Sequence, residues 1–236
     1  MKYLYIAYQY LIAWPLFAVF TLVTAILTII WMFEPNSKFI NSVQRYWSRS
    51  FFWLMLIPVR VSGKENIKKG QSYVFVSNHQ SFCDVFLAYG WLPVVFKFLM
   101  KQELRRIPLV GLACQLCGHV YIDRSNPRAA VASIKKVEER LQNGICTVIY
   151  PEGTRSANGE VLKFKRGAFM VATHLNLPVV PLSITGCHEC MPKGSGYITR
   201  HPVHLHIGRP MNLKEYGDEA AATEAVRQAV IDGMRK

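Results

Sequence analysis

In the run Asn78-His79-Gln80-Ser81-Phe82-Cys83-Asp84, an imidazole and a carboxylate stand five residues apart, directly after the apolar stretch Phe75-Val76-Ser77. A neutral imidazole is a suitable base near neutral pH, and a carboxylate on one ring nitrogen stabilises the imidazolium formed when the other takes a proton. On an unbroken helix such residues would point about 140° apart. The pair therefore meets only if the chain turns after His79 and Asp84 opens the next helix, an arrangement that would remove a proton from a substrate hydroxyl. Ser81 and Cys83 lie between them and leave a second chemistry open, a covalent nucleophile activated by the same histidine. A satisfied structural histidine is the third reading of the segment.

A second constellation is Tyr150-Pro151-Glu152-Gly153-Thr154-Arg155-Ser156, followed by Phe164-Lys165-Arg166-Gly167. It sets guanidinium and ammonium groups beside glycine-freed backbone, which suits a phosphate monoester. Glu152 is placed either to orient Arg155 or to accept a hydrogen bond from a ligand hydroxyl. A plain surface turn with solvated charges has the same composition.

Both segments follow strand-like runs, where α/β proteins bind ligands at the carboxyl edge of the sheet. Short β-rich runs are predicted at Val59–Ser62, Tyr73–Ser77, Val94–Leu99, His119–Asp123, Cys146–Tyr150, Val179–Ile184 and Val203–Ile207. They alternate with helical patterns. One helix is signalled by Asn126 as N-cap, Pro127, an apolar face of Ala130, Ile134, Val137 and Leu141, and Gly144 beyond its end. Another starts near Asp218 and runs to Arg235 and Lys236. The expected fold is α/β, a mixed central sheet flanked by helices, with an N-terminal membrane-inserted helical segment.

From Tyr3 to Phe33 no residue is charged. About 20 helical residues cross a bilayer core, so tilt, a kink at Pro15, or a helix pair dipping into one leaflet must absorb the surplus. Tyr3, Tyr5, Tyr8, Tyr10 and Trp14 at one end and Trp31 at the other suit interfacial belts. Lys38, Arg45, Arg49 and Arg60 follow the run, so the positive-inside rule sets the remainder in the cytoplasm. Phe51 to Val59 is too short to span; it is either an interfacial helix or an ordinary core-facing one. The division expected is 1–57 as anchor and interfacial helix and 58–236 as the α/β domain.

The net charge of +13 falls almost wholly after residue 33 and favours anionic surfaces or substrates. No zinc-finger spacing, RNA-recognition signature or interleaved basic and aromatic run points to nucleic acid. The six cysteines include the pairs Cys114/Cys117 and Cys187/Cys190, which read as small apolar side chains in a reducing compartment and not as zinc ligands.

Four ordered motifs across roughly residues 70 to 185 resemble the glycerophospholipid acyltransferase family, and within it the 1-acylglycerol-3-phosphate acyltransferases. They are the NH-x4-D element at Asn78, His79 and Asp84; Gly118-His119-Val120-Tyr121-Ile122-Asp123-Arg124; Glu152-Gly153-Thr154-Arg155; and Leu177-Pro178-Val179-Val180-Pro181. The resemblance implies His79 as base, Asp84 as its orienting partner, and Arg124, Glu152, Gly153, Thr154 and Arg155 as residues that bind the acceptor and its phosphate. Lys101 and Lys165 match further basic positions, and Pro181 would shape the acyl pocket. It implies transfer of an acyl group from acyl-CoA or acyl-carrier protein to a lysophospholipid at a membrane, with no bound cofactor or metal. Acceptors such as glycerol 3-phosphate, a membrane-associated esterase and a non-catalytic lipid-binding module are the alternatives. Backbone N–H groups near the helix start after Asn78 are the expected oxyanion donors.

Overall fold

A computed structural model of the chain describes residues 2–122, 135, 139, 141 and 144–235. Seven strands form one sheet in the order β1-β7-β6-β2-β5-β3-β4. They are β1 Val59–Ser62, β2 Val74–Ser77, β3 Phe96–Lys101, β4 Val120–Ile122, β5 Cys146–Ile149, β6 Val179–Thr185 and β7 Val203–Ile207. Every neighbouring pair is parallel except β6 with β7, so the sheet is mixed, as the sequence predicts. All seven runs read from the sequence are strands, with ends displaced by at most two residues. Asp123, Arg124 and most of the helix expected between Asn126 and Gly144 lie outside the described residues.

The central strands read as continuous apolar runs because both faces are covered. Alternation sends Phe75, Val148, Val180 and Leu182 into one cluster with Phe51, Phe52, Phe86 and Leu87. It sends Val74, Val76, Ile149 and Val179 to the other face, with Phe164, Phe169, Val226 and Val230. The last two belong to the C-terminal helix Glu219–Gly233, whose N-cap is Asp218, accepting from the Ala221 N–H at 2.7 Å. Pro181 pairs with Val76 across β6 and β2, and its carbonyl accepts the Gly208 N–H at 2.8 Å. Strand alternation places it in the sheet interior on the face of Val179. Pro181 is thus packed on the face of the sheet opposite Phe75 and Val180.

The N-terminal helix Lys2–Ile30 is long and apolar enough to cross a membrane. Five of its residues, Gln9–Ala13, form a π-turn just ahead of Pro15. Proline lacks the N–H that would close the preceding turn, and its ring crowds the carbonyl four residues back; widening that turn relieves the clash without ending the helix. The widened turn buries Gln9, whose amide makes two bonds to the backbone of Ile198, at 2.7 and 2.9 Å. Further ties run from Tyr5 to the Met55 carbonyl, Tyr8 to the Leu54 carbonyl, and Trp47 to Thr21. The helix lies along the domain and still exposes Leu11, Val19, Phe20, Leu22, Val23 and Ile26 on its other side.

The following helix, Lys38–Leu54, resolves the two readings of its apolar end. Ser37 caps it, Ile40, Ser48, Phe51 and Phe52 are buried, and Tyr46 and Trp53 stand exposed. It is core-facing along one side and open on the other. Arg45 and Arg49 donate to the carbonyls of Leu92 and Gly90, closing the end of the helix Cys83–Trp91.

Candidate active site

β2, β5 and β3 run parallel, so the segments that leave them emerge at one edge of the sheet. Asn78 fixes the first: its side chain donates to the Ile184 carbonyl and accepts from the Ile184 N–H, both at 2.8 Å. That bracket extends the pairing to β6 by one side chain, then releases the chain into its turn. Asp84 opens the helix Cys83–Trp91, as the five-residue spacing requires.

His79 Nδ1 lies 2.9 Å from Asp84 Oδ2. The same oxygen accepts the N–H groups of Gln80 at 2.6 Å and Ser81 at 2.8 Å, and the Asp84 side chain is fully buried. With Nδ1 donating to a carboxylate, Nε2 keeps its lone pair and is the nitrogen left to act as base. Two backbone amides hold the carboxylate itself in place.

These amides are the ones expected to serve as oxyanion donors, and the structure commits them elsewhere. The His79 N–H goes to Glu152 Oε1 at 2.6 Å, Gln80 and Ser81 go to Asp84, and the Cys83 N–H goes to Ser81 Oγ at 3.2 Å. A donor spent on a buried internal acceptor is not free for a developing negative charge. The amides of His79, Gln80, Ser81 and Cys83 are thus not available as oxyanion donors in this arrangement.

Neither candidate nucleophile faces the imidazole. The Ser81 hydroxyl donates to the Met191 carbonyl at 2.8 Å and is buried. Cys83 is fully buried, and burial pushes its thiol up to about 12. Thiolate formation in that setting is suppressed at neutral pH. Cys187 sits among the same buried groups, and its thiol is raised by burial and by the Asp84 carboxylate.

The second constellation is built onto the first. Besides the His79 amide, Glu152 holds the Leu162 N–H at 3.0 Å, and the Ser156 N–H donates back to the His79 carbonyl at 2.8 Å. Glu152 is 3% exposed, and burial raises its carboxyl above the ordinary glutamate value. Its oxygens brace the two loops. Gly153 has φ of +74°, and a Cβ there would lie 2.8 Å from Lys165 Nζ. The positive φ favours glycine, and a side chain there would displace the flexible end of Lys165. Thr154 is exposed and accepts from Lys193 Nζ at 3.4 Å, while Arg155 is half-buried beside it. Lys101, at the end of β3, is exposed and paired with Glu103 at 2.8 Å.

Two features escape a reading of motifs. The Tyr150 ring stacks on His79 at 4.2 Å and 24°, and on Phe98 at 6.3 Å and 16°. The signal was present, an aromatic closing the strand before Glu152, but its partner is distant in sequence. Lys193 belongs to a segment between β6 and β7 that carries no motif. Phe98 also lines an apolar cavity under the N-terminal helix, with Ala25, Trp47, Val85, Met100 and Ala113.

The carboxyl edge of this mixed α/β sheet thus carries a His–Asp pair beside a glycine-turned basic loop. Residues 58–185 match the family model described as Acyltransferase. The chain is 34% identical over 165 residues to a 1-acyl-sn-glycerol-3-phosphate acyltransferase of Limnanthes alba, covering 70% of this chain and 58% of that protein. It is 35% identical over 184 residues to a chloroplastic 1-acyl-sn-glycerol-3-phosphate acyltransferase of Arabidopsis thaliana, covering 77% and 51%. The crystal structure of the 1-acyl-sn-glycerophosphate acyltransferase PlsC from Thermotoga maritima superposes with a TM-score of 0.83 at 30% identity, over 98% of this chain and 94% of that one. The chain belongs to the acyltransferase family. It spans a little over half the length of these two plant relatives.

Proposed function

We propose that this chain transfers a fatty-acyl group from an acyl thioester, of coenzyme A or of acyl-carrier protein, to the free hydroxyl of 1-acylglycerol 3-phosphate, giving phosphatidic acid. The observation that carries the mechanism is the 2.9 Å contact of His79 Nδ1 with buried Asp84, in a turn where Ser81 and Cys83 are both turned away. The relatives named above support the acceptor, since each carries that acceptor in its description.

The acceptor phosphate rests on the Gly153–Arg155 loop with Lys165 and Lys193. Its hydroxyl points at His79 Nε2, which takes the proton as the oxygen attacks the thioester carbonyl. The C–O bond forms, the tetrahedral centre collapses, the C–S bond breaks, and the imidazolium returns its proton to the departing thiolate. Asp84 stabilises the imidazolium between these steps. The apolar cavity lined by Phe98, whose ring stacks on Tyr150 as Tyr150 stacks on His79, offers room for acyl chain. The N-terminal helix, with its exposed apolar side, holds the site at a membrane where acceptor and product reside, and the basic residues after it favour a cytoplasmic domain.

The test is an assay of the purified chain with 1-acylglycerol 3-phosphate or glycerol 3-phosphate and each thioester, followed by mass spectrometry of the protein. Phosphatidic acid is expected with no acyl-protein adduct, and Ser81→Ala and Cys83→Ala retain substantial turnover. An adduct on either residue, or thioester hydrolysis without transfer, overturns the direct-attack reading.

A further inference from the structure

The turn that follows β3, Gln102–Arg106, and the short helix Val110–Leu116 leave the same edge of the sheet as His79. Between them Leu104, Ile107, Leu109 and Leu112 each keep between 38% and 48% of their surface exposed. Four large apolar residues turned outward within nine positions are not what a water-facing turn carries. Nor is the segment a loose tail. The Gly111 N–H bonds to Ile107 and the Ala113 N–H to Leu109, both at 2.8 Å, and Tyr121 donates to the Gly111 carbonyl at 2.8 Å. A Cβ on Gly111 would meet the Arg105 carbonyl oxygen at 2.2 Å, so the chain folds back tightly on itself. Leu109 is held at φ of +60°, a strained setting for leucine, with its side chain outward.

We propose that Leu104 to Leu112 is a second membrane contact, a wedge that enters the boundary between headgroups and acyl chains of an anionic bilayer at the mouth of the His79 site. The inference rests on the reading of the N-terminal helix as membrane-inserted. Two observations select a lipid surface as the occupant. The N-terminal helix packs against the Val110–Leu116 helix, so its exposed Leu22, Val23 and Ile26 continue the same apolar surface. Arg105 and Arg106 are exposed within the wedge, where they complement anionic headgroups. Phe82, exposed beside the catalytic turn, lies between His79 and Asp84 in the chain and adds apolar surface at that mouth. The wedge fixes the tilt of the domain so that a lipid acceptor enters the site sideways from the bilayer.

The experiment uses the full chain in vesicles of phosphatidylcholine with phosphatidylglycerol. A nitroxide is placed at Leu109→Cys, at Leu22→Cys on the helix, and at exposed Lys214→Cys as the aqueous reference, against an unsubstituted background whose native thiols are all buried except half-buried Cys114. Relaxation by oxygen reports lipid, and relaxation by a water-soluble nickel chelate reports water. Oxygen accessibility at both Leu109 and Leu22 is the expected result. Leu22 in lipid with Leu109 in water overturns the wedge and leaves the anchor standing; both in water overturn the membrane reading as well. Ile107→Asp and Leu109→Asp should each lower turnover of a vesicle-embedded acceptor about tenfold or more, the factor lost when one leucine-sized side chain leaves an apolar phase. Turnover of a short-chain acceptor dissolved in water should stay unchanged; an equal fall with both acceptors overturns the wedge.

Discussion

Glu152 accepts the backbone N–H of His79 at 2.6 Å, so the carboxylate of one motif fixes the main chain of the proposed base in the other. Burial raises this carboxyl, and the Leu162 and His79 amides draw it back only in part. A folded-state value above the unfolded one means that the folded chain binds the proton more tightly. The contribution to stability is then complete below the ordinary glutamate value and is lost as pH rises through the raised one. The unfolding free energy of wild type minus that of Glu152→Gln should therefore fall as pH rises from about 4.5, then level off. Denaturant titrations between about pH 4 and 8 measure it, and a flat difference would contradict the raised value. The variant should also lose turnover, because a Gln amide turns an N–H toward one of the two amides that Glu152 holds.

Asp84→Asn keeps the shape that receives the Gln80 and Ser81 amides and removes the charge opposite His79. Loss of imidazolium stabilisation should lower kcat by about 100- to 10,000-fold with the acceptor KM little changed. His79→Ala should be lower still at an unchanged melting temperature. Steady-state kinetics on both variants decide it; near wild-type turnover in either would remove the base from the mechanism.

The sheet was legible because β2, β5 and β6 are buried on both faces and their side chains are β-branched or apolar, a pattern with no helical equivalent at that length. His79 and Asp84 were legible for a geometric reason: five residues apart, they meet only across a turn into a helix. What was not legible depends on partners far along the chain. The spending of the Gln80 and Ser81 amides on Asp84 needs the turn's backbone, and the face occupied by Pro181 needs the register of β6 on β2. The π-turn before Pro15 required knowing that Gln9 reaches Ile198.

Tyr150 stacks on His79 while its hydroxyl is buried and has no hydrogen-bond partner among the described residues. The ring and the hydroxyl therefore act in opposite directions. Tyr150→Phe keeps the stack, removes an unpaired donor and should raise stability by about 1 kcal/mol with turnover preserved. Tyr150→Leu removes the stack and should lower kcat about 2- to 13-fold, matching the ~0.5–1.5 kcal/mol of an aromatic pair, while KM for both substrates holds. Calorimetry and kinetics together check the pair of variants. A kcat for Tyr150→Leu equal to that of Tyr150→Phe would show that the ring does not position the imidazole.

Arg155 lies on the loop that Gly153 turns beneath Lys165, and Lys193 reaches the neighbouring Thr154 at 3.4 Å. A guanidinium grips a phosphate through two parallel hydrogen bonds, whereas an ammonium supplies a point charge. Arg155→Lys should therefore lose one charge-assisted bond, about 1.5–3 kcal/mol, or roughly 10- to 150-fold in kcat/KM for 1-acylglycerol 3-phosphate. The KM of the thioester should hold. Lys193→Ala should act in the same direction with a smaller effect, since its ammonium is exposed and water competes for the contact. An acceptor with the same acyl chain and no phosphate separates binding from folding: it should be a poor substrate of the wild type and lose little more in either variant. Equal losses with both acceptors would assign Arg155 to the scaffold or to the thioester, and the phosphate would have to be held elsewhere along the sheet's carboxyl edge.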